Sequence, residues 1–244
     1  METKIASNET AEPMTINDGL KLGLPIAIGY IPSAIAFGLL AKSAGLPDHI
    51  SIMMSFFVFA GASQFMAVNL LTLGVVYWEI VLATFILNSR HFLMSAALSQ
   101  RVRQGTSKKW LSLVSFGVTD ETFAVASLST KKPLSPKFLL GLNFIAFFAW
   151  NVGTWVGVFL AAGLPEALKT SMGMALYAMF IGLLVPSLRK SLPVLTVALM
   201  AMVIHSVLYW VPMFSGISSG WSIIIATIIA ATAGTVLFPR GVNN

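Results

Sequence analysis

The 244-residue chain contains no cysteine, which removes disulfides, thiolate metal ligands and cysteine nucleophiles together. Charge is nearly as scarce. Asp, Glu, Lys and Arg supply only 10% of the residues, against roughly 25% in soluble domains, while hydrophobic side chains supply 57%. So few charges cannot clothe a water-soluble globule that holds this much Leu, Ile, Val, Phe and Met, and a soluble fold is excluded. His-Glu-x-x-His, Walker and dinucleotide-glycine patterns are missing as well, so neither a metal nor a cofactor is expected. Nor is there a basic stripe with interleaved aromatics, which argues against a nucleic-acid partner.

What is present reads as spanning segments. A membrane helix needs about 20 mostly apolar residues. Eight runs of about that length follow one another: 22–41, 50–74, 76–99, 110–128, 137–162, 168–188, 192–211 and 221–238. The expected fold is all-α, a polytopic transmembrane helix bundle, with residues 1–18 as a polar cytoplasmic tail and 19–240 as one transporter domain. The tail lacks a basic region ahead of the first apolar run, so it is not read as a signal peptide. Connections are short and marked by breakers such as Gly45-Leu46-Pro47, Lys132-Pro133 and Gly163-Leu164-Pro165.

Four of the nine acids lie in the first 18 residues, so from Gly19 onward 14 bases face 5 acids. If all eight segments cross and the N-terminus is cytoplasmic, loop Lys and Arg divide seven inside to six outside, which is no bias. The stretch from Arg101 to Lys109, four bases in nine residues, falls on the wrong face. Two re-entrant segments repair the count. If segment four enters and leaves on the cytoplasmic side and an earlier segment does likewise from its own side, the division becomes eleven to two with Arg90 left in the membrane. Segment two, broken around Gly61-Ala62-Ser63-Gln64, and segment three, broken at Asn88-Ser89-Arg90-His91, satisfy the count equally. Against this, Ser112, Ser115, Thr119, Thr122, Ala126 and Ser129 form a stripe that suits one unbroken fourth helix. A faint echo, Ala44-Gly45-Leu46-Pro47-Asp48 against Ala162-Gly163-Leu164-Pro165-Glu166, is offset by 118 residues and hints at two halves.

Polar groups at membrane depth single out candidate sites, because a charge there costs about 2.5–3.5 kcal/mol on insertion scales. Arg90 lies midway along segment three, and Asp120 and Glu121 midway along segment four. A pair between Arg90 and one of these acids is the cheapest arrangement, and Arg90, His91, Asp120 and Glu121 form a candidate proton relay or gate. On an unbroken helix Thr84, Asn88, His91 and Ser95 share a face, with Arg90 about 100° away from His91. Segment five adds Asn143, Asn151 and Thr154. It also carries Gly153, Gly157 and Ala161 at four-residue spacing, and segment eight repeats the pattern with Ala226, Ala230 and Gly234, both suited to close helix packing. Glu79, beside Tyr77 and Trp78, reads as interfacial. His205 near Tyr209 and Trp210 reads as a packing histidine. Gly61-Ala62-Ser63 also holds a Gly-x-Ser, so an intramembrane hydrolase using Ser63 and His205 is one alternative, and a passive channel for small zwitterions another.

Gly29-Tyr30-Ile31-Pro32 through Phe37-Gly38, Phe59-Ala60-Gly61-Ala62-Ser63-Gln64-Phe65, Leu87-Asn88-Ser89-Arg90-His91 and Gly117-Val118-Thr119-Asp120-Glu121 stand in order along segments one to four. Together they resemble the AzlC family, also called BrnF or YgaZ, over roughly residues 19–157. The resemblance implies the large subunit of a bacterial exporter in the cytoplasmic (inner) membrane, multi-pass, with both termini cytoplasmic. It implies a small hydrophobic partner of the AzlD, BrnE or YgaH type and export of leucine, isoleucine, valine and often methionine, driven by the proton gradient. Such a substrate needs a site for a carboxylate and an ammonium beside an apolar cavity. Gly61, Ala62, Ser63, Gln64, Asn88 and Asn151 are the candidates for substrate binding, with the carboxylate at a half-helix N-terminus. Asp120 or Glu121 would take the ammonium or the coupling proton.

Overall fold

The computed structural model describes residues 14–129, 133–163 and 191–239, with 165, 181, 185, 188 and 189 as isolated positions. The sixth expected segment, most of the N-terminal tail, Lys131, Lys132, Lys169, Lys190, Arg240 and part of the second copy of the echo lie outside the described residues. Among those residues the regular structure is helical: α1 (Ile16–Ser43), α2 (Asp48–Phe57), α3 (Gly61–Thr72), α4 (Tyr77–Ser99), α5 (Lys108–Phe116), α6 (Asp120–Leu128), α7 (Pro136–Leu160), α8 (Leu192–Trp210) and α9 (Ser219–Leu237). Of these, α1, α4, α7, α8 and α9 are long and apolar enough to cross a bilayer. Their outward positions include Ile28, Phe85, Leu93, Phe148 and Phe159, an apolar exterior that lipid covers and water would not. The chain is an α-helical membrane protein.

Two compact units divide the chain. The first comprises the start of α1 up to Tyr30 together with Arg90–Trp150, and the second comprises Ile31–Ser89 together with the chain from Asn151 onward. In the first, α1 and α7 touch with almost no side chain between them: a Cβ on Gly19 would meet the Phe138 carbonyl at 2.1 Å, and one on Gly141 would meet the Ile16 carbonyl at 2.2 Å. In the second, Gly153 faces Ala34 and Ile31 while Gly157 faces Ile35. Contacts rise in the same order along both helices, so α1 and α7 run parallel in each unit. The small residues expected to form a packing stripe therefore pack within this chain. Gly234 does the same on α9 against Val197 of α8.

Segments two and four are broken and segment three is not. A continuous α4 through Asn88-Ser89-Arg90-His91 corrects the alternative that placed a break there. The break in segment four likewise overrides its polar stripe. Gly117 ends α5, Asn143 of α7 packs against that glycine, and its Nδ2 donates to the Val114 carbonyl at 2.8 Å, satisfying a terminal acceptor. Two residues on, Thr119 starts α6 with a capping box. Its Oγ1 accepts from the Thr122 amide at 3.3 Å, and the Thr119 amide donates to Thr122 Oγ1 at 2.8 Å. Thr119 and Thr122, read from sequence as neighbours on one helical face, are instead the two ends of a cap.

In the first unit segment four returns to the end it started from. The Arg101 guanidinium donates to the carbonyls of Ala126, Ser127 and Ser129 at 3.1, 2.5 and 2.8 Å, closing the C-terminus of α6. Arg101 and Arg103 also pair with Leu134 through the backbone, and the Thr106 amide donates to the Arg103 carbonyl. Beginning and end of the α5–α6 pair are thus held beside the same short stretch. A cation on the last carbonyls of a half-helix complements its dipole as well as its free acceptors. Arg101→Ala removes the donor from three carbonyls at once, of which Ala126 keeps the Ser129 amide, and a buried acceptor left unpaired costs about 1 kcal/mol or more. The expected result is a clear drop in the thermal midpoint in detergent, partly recovered by Arg101→Lys; an unchanged midpoint would show that the clamp holds nothing.

The second unit contains the α2–α3 pair. Val58, Phe59 and Ala60 separate the two helices, with Phe59 buried and in the left-handed region at φ 43°. Gln64 of α3 donates from Nε2 to Ser55 Oγ of α2 at 2.9 Å, and Met54 packs on the cluster of Ala67, Leu70, Ile80, Ala83 and Ile224. Those contacts fold α3 back along α2. Glu79, at the start of α4, is buried at 6% exposure. It accepts a hydrogen bond from Ser218 Oγ, the cap of α9, and rests over Gly220, so this glutamate at the start of α4 also joins the starts of two helices.

Candidate functional site

Within the first unit, the residues that begin α6 collect the intramembrane charges. α6 has nine residues. At 1.5 Å per residue it is about 13 Å long, less than half of a hydrocarbon core about 30 Å thick, so a half-helix of this length that enters from one face would end near mid-depth. Asp120 and Glu121 both stand in its first turn, where the helix dipole favours an anion. Asp120 Oδ2 accepts from Arg90 Nη1 of α4 at 2.6 Å. The pair expected from sequence therefore forms, and with Asp120. Their side chains remain 38% and 50% exposed, so the pair lies at the edge of this chain and not in its core.

Glu121 has a different partner. Tyr30 Oη of α1 lies 2.5 Å from Glu121 Oε2 and 2.8 Å from Thr119 Oγ1. Trp150 of α7 packs edge-on against the Tyr30 ring with centroids 5.5 Å apart. His91 sits within electrostatic range of Arg90, Asp120 and Glu121. Four of the expected residues, Arg90, His91, Asp120 and Glu121, are thus brought together, and the sequence reading missed Tyr30 as a fifth member. A signal was available. A tyrosine in the middle of an apolar span needs a partner for its hydroxyl, and Tyr30 sits fourteen residues into α1.

The second unit holds the remaining candidates, and Ser63, Gln64 and Asn88 meet around the start of α3. Ser63 Oγ donates to the Ala60 carbonyl at 2.9 Å and accepts from Asn88 Nδ2 at 3.0 Å. Besides its bond from Gln64, Ser55 Oγ shares a hydrogen bond of 2.7 Å with Thr154 Oγ1 of α7. Ser55, Thr154, Ser63 and Gln64 are all buried. Their side chains join α2, α3, α4 and α7, and Ser55 and Thr154 are contributors that the sequence reading left out of its site. Asn88 Oδ1 is buried without a hydrogen-bond partner among the described residues. Gly61 and Ala62 stand half-buried in the first turn of α3, and Asn151 is half-buried on α7. Asn88 and Arg90 thus serve different partners, Ser63 and Asp120, as their angular offset on one unbroken helix requires.

Ser63 does not hydrogen-bond to His205. The imidazole Nδ1 lacks a hydrogen-bond partner among the described residues, and the ring stacks on Tyr209 at 6.4 Å. A hydroxyl committed to a carbonyl on its own chain has no base to activate it. Among the described residues no cluster of three or more His, Cys, Asp or Glu forms a metal site.

Comparison with known proteins fits this arrangement. Residues 25–164 match the family model described as AzlC protein. The chain is 34% identical over 205 residues to "Inner membrane protein YgaZ" of Escherichia coli (strain K12), covering 81% of this chain and 84% of that protein. It is 32% identical over 173 residues to an uncharacterized membrane protein of Archaeoglobus fulgidus, covering 70% and 75%. To "Branched-chain amino acid transport protein AzlC" of Bacillus subtilis (strain 168) it is 29% identical over 136 residues, covering 55% and 53%. No solved structure matches the chain. With the family model spanning more than half of its length and the first of these relatives most of it, the chain belongs to the AzlC family.

Proposed function

We propose that this chain is the permease subunit of an exporter that carries leucine, isoleucine, valine and methionine out across the cytoplasmic membrane, coupled to proton entry. It works with a small hydrophobic partner subunit of the AzlD type. The observation that carries the reading is the charge cluster at the start of α6. One arginine and two carboxylates are held at membrane depth, where ionisable groups are retained for transport or coupling. A family relative named for branched-chain amino acid transport supports the substrate class. An aliphatic zwitterion needs an anion site, and the first backbone amides of α3, at Gly61, Ala62 and Ser63, point from a half-helix N-terminus suited to a carboxylate. Asn88 borders that turn through its bond to Ser63 and, with Asn151 of α7, is assigned the substrate's polar end, while Ser63 and Gln64 hold the turn in place through their side chains.

Both termini are cytoplasmic in this reading. With segments two and four folded back, Lys and Arg divide eleven inside to two outside, the bias that sets orientation in inner-membrane proteins. The test is leucine efflux from vesicles containing this chain and its co-expressed small subunit. Uphill export of labelled leucine is expected, competed by isoleucine and valine, and stopped by collapse of the proton gradient. Efflux that continues down an outward leucine gradient but never runs uphill would make the protein a passive channel. No leucine movement, with or without the small subunit, would overturn the proposal.

A further inference from the structure

Asp120 and Glu121 are adjacent carboxylates in one helical turn, yet the structure gives them unlike partners. Asp120 faces the Arg90 guanidinium, a permanent cation, at 2.6 Å. Glu121 faces the neutral hydroxyl of Tyr30, which also lies within hydrogen-bond distance of Thr119 Oγ1. A tyrosine hydroxyl owns one proton and can give it to only one acceptor at a time. From these contacts we infer that Glu121 alone is the proton-coupling carboxylate, that Asp120 is the fixed counter-ion of Arg90, and that Tyr30 is a positioning residue which re-points its proton as Glu121 titrates. The inference rests on the coupled-export reading above.

The two states follow from counting hydrogens. With Glu121 ionised, Tyr30 donates to Glu121 Oε2 and leaves its oxygen as an acceptor for the Thr119 hydroxyl. When Glu121 takes a proton from hydronium, an O–H bond forms on Oε2 and water is left behind. The carboxylic acid then donates to Tyr30 Oη, and Tyr30 turns its own proton to Thr119 Oγ1. No phenolate forms and no proton passes through the ring oxygen. Thr119 Oγ1 is also the cap of α6, accepting from the Thr122 amide. The protonation state of Glu121 is therefore felt at the N-terminus of the half-helix that carries both carboxylates. Among the described residues, the charged or titratable groups around Glu121 are Tyr30 from α1, Arg90 and His91 from α4, and Asp120 from α6 itself. The sole charge on α7 is Lys137, at its far end, and the α7 residue against Tyr30 is Trp150.

Glu121→Gln, a fixed mimic of the protonated form, separates the roles. In vesicles loaded with labelled leucine, this variant is expected to lose uphill, gradient-driven export by about tenfold or more while leucine-for-leucine exchange persists. Glu121→Asp, which keeps a titratable group, is expected to recover part of the coupling. Tyr30→Phe is expected to displace the pH midpoint of export, because both proton positions lose their partner. Asp120→Asn is expected to depress exchange and uphill export together without moving that midpoint. A coupled parent whose Glu121→Gln variant still exports uphill overturns the assignment alone. So does equal loss of exchange in the Glu121→Gln and Asp120→Asn variants, which would make both acids structural. If the parent's uphill export survives collapse of the proton gradient, the coupled-export reading fails and the assignment fails with it.

Discussion

Arg90→Ala is expected to lower leucine export by about 30-fold or more, and removing Asp120 as well is expected to restore the protein's stability but not its transport. The magnitudes decide this. An ionised Asp120 at membrane depth costs about 2.5–3.5 kcal/mol on insertion scales. Its place in the first turn of α6 returns only about 0.3–1 kcal/mol through the helix dipole. The guanidinium at 2.6 Å has to supply the difference. Breaking a fully buried pair costs roughly 3–5 kcal/mol, but these side chains are more than a third exposed, so a value of about 2 kcal/mol is the better expectation. That corresponds to about 30-fold where the pair is needed in the transporting state.

The double variant Arg90→Met with Asp120→Asn leaves no unpaired charge. Its thermal midpoint in detergent is expected to return most of the way to that of the parent, since the coupling energy of a contacting pair does not add. Export is expected to stay low, because the cluster that orients Glu121 has lost its fixed charges. If export returned together with stability, the pair would be a helix lock and nothing more. Arg90→Lys, which keeps charge and loses the planar fork, is expected to fall between the parent and the alanine variant.

Much of this cluster was legible because charge is so rare in the chain. Arg90, Asp120 and Glu121 announce themselves by standing in spans where lipid penalises them, and Lys and Arg divide eleven to two only if two segments turn back. What the sequence concealed has one physical origin: partners far apart in the chain. Tyr30 meets Glu121 across 91 residues, and no local pattern marks the pair. Arg101 counted only as a positive-inside charge, yet its guanidinium closes a helix that ends some 25 residues later. The polar stripe of segment four misled for a related reason. Thr119 and Thr122 are three apart both on a helical face and in a capping box, and only Gly117 with Asn143 packed against it breaks the tie. Ser63 and Gln64 were recognised as important, but periodicity cannot tell a side chain that offers its hydrogen bonds to a ligand from one that spends them on Ala60 and Ser55.

Gly157→Val is expected to be the most damaging single substitution in the second unit, lowering stability by about 3 kcal/mol, the upper end of the range for overpacking. A Cβ on Gly157 would stand 2.2 Å from the Ile35 carbonyl oxygen and 2.9 Å from its carbon, and a Cβ on Gly38 opposite would stand 2.4 Å from the Thr154 carbonyl oxygen. These obstacles are backbone atoms of α1 and α7, so neither helix can yield by turning a side chain. Forcing the helices apart also pulls Thr154 from Ser55. The buried hydroxyls of Ser55 and Thr154 would then lose the hydrogen bond they share, at a cost of about 1–3 kcal/mol for a buried group left unsatisfied. Two controls isolate the cause. Gly29→Ala, where a Cβ meets nothing within 4 Å, is expected to leave the melting midpoint unchanged or raise it, since alanine is the better helix former. Trimming the facing residue in a Gly157→Val, Ile35→Ala double variant is expected to give no rescue, because the clash is with the carbonyl and not with the isoleucine side chain. Recovery of the midpoint in that double variant would mean that side-chain volume, and not direct contact between helix backbones, sets the spacing of α1 and α7 in this unit.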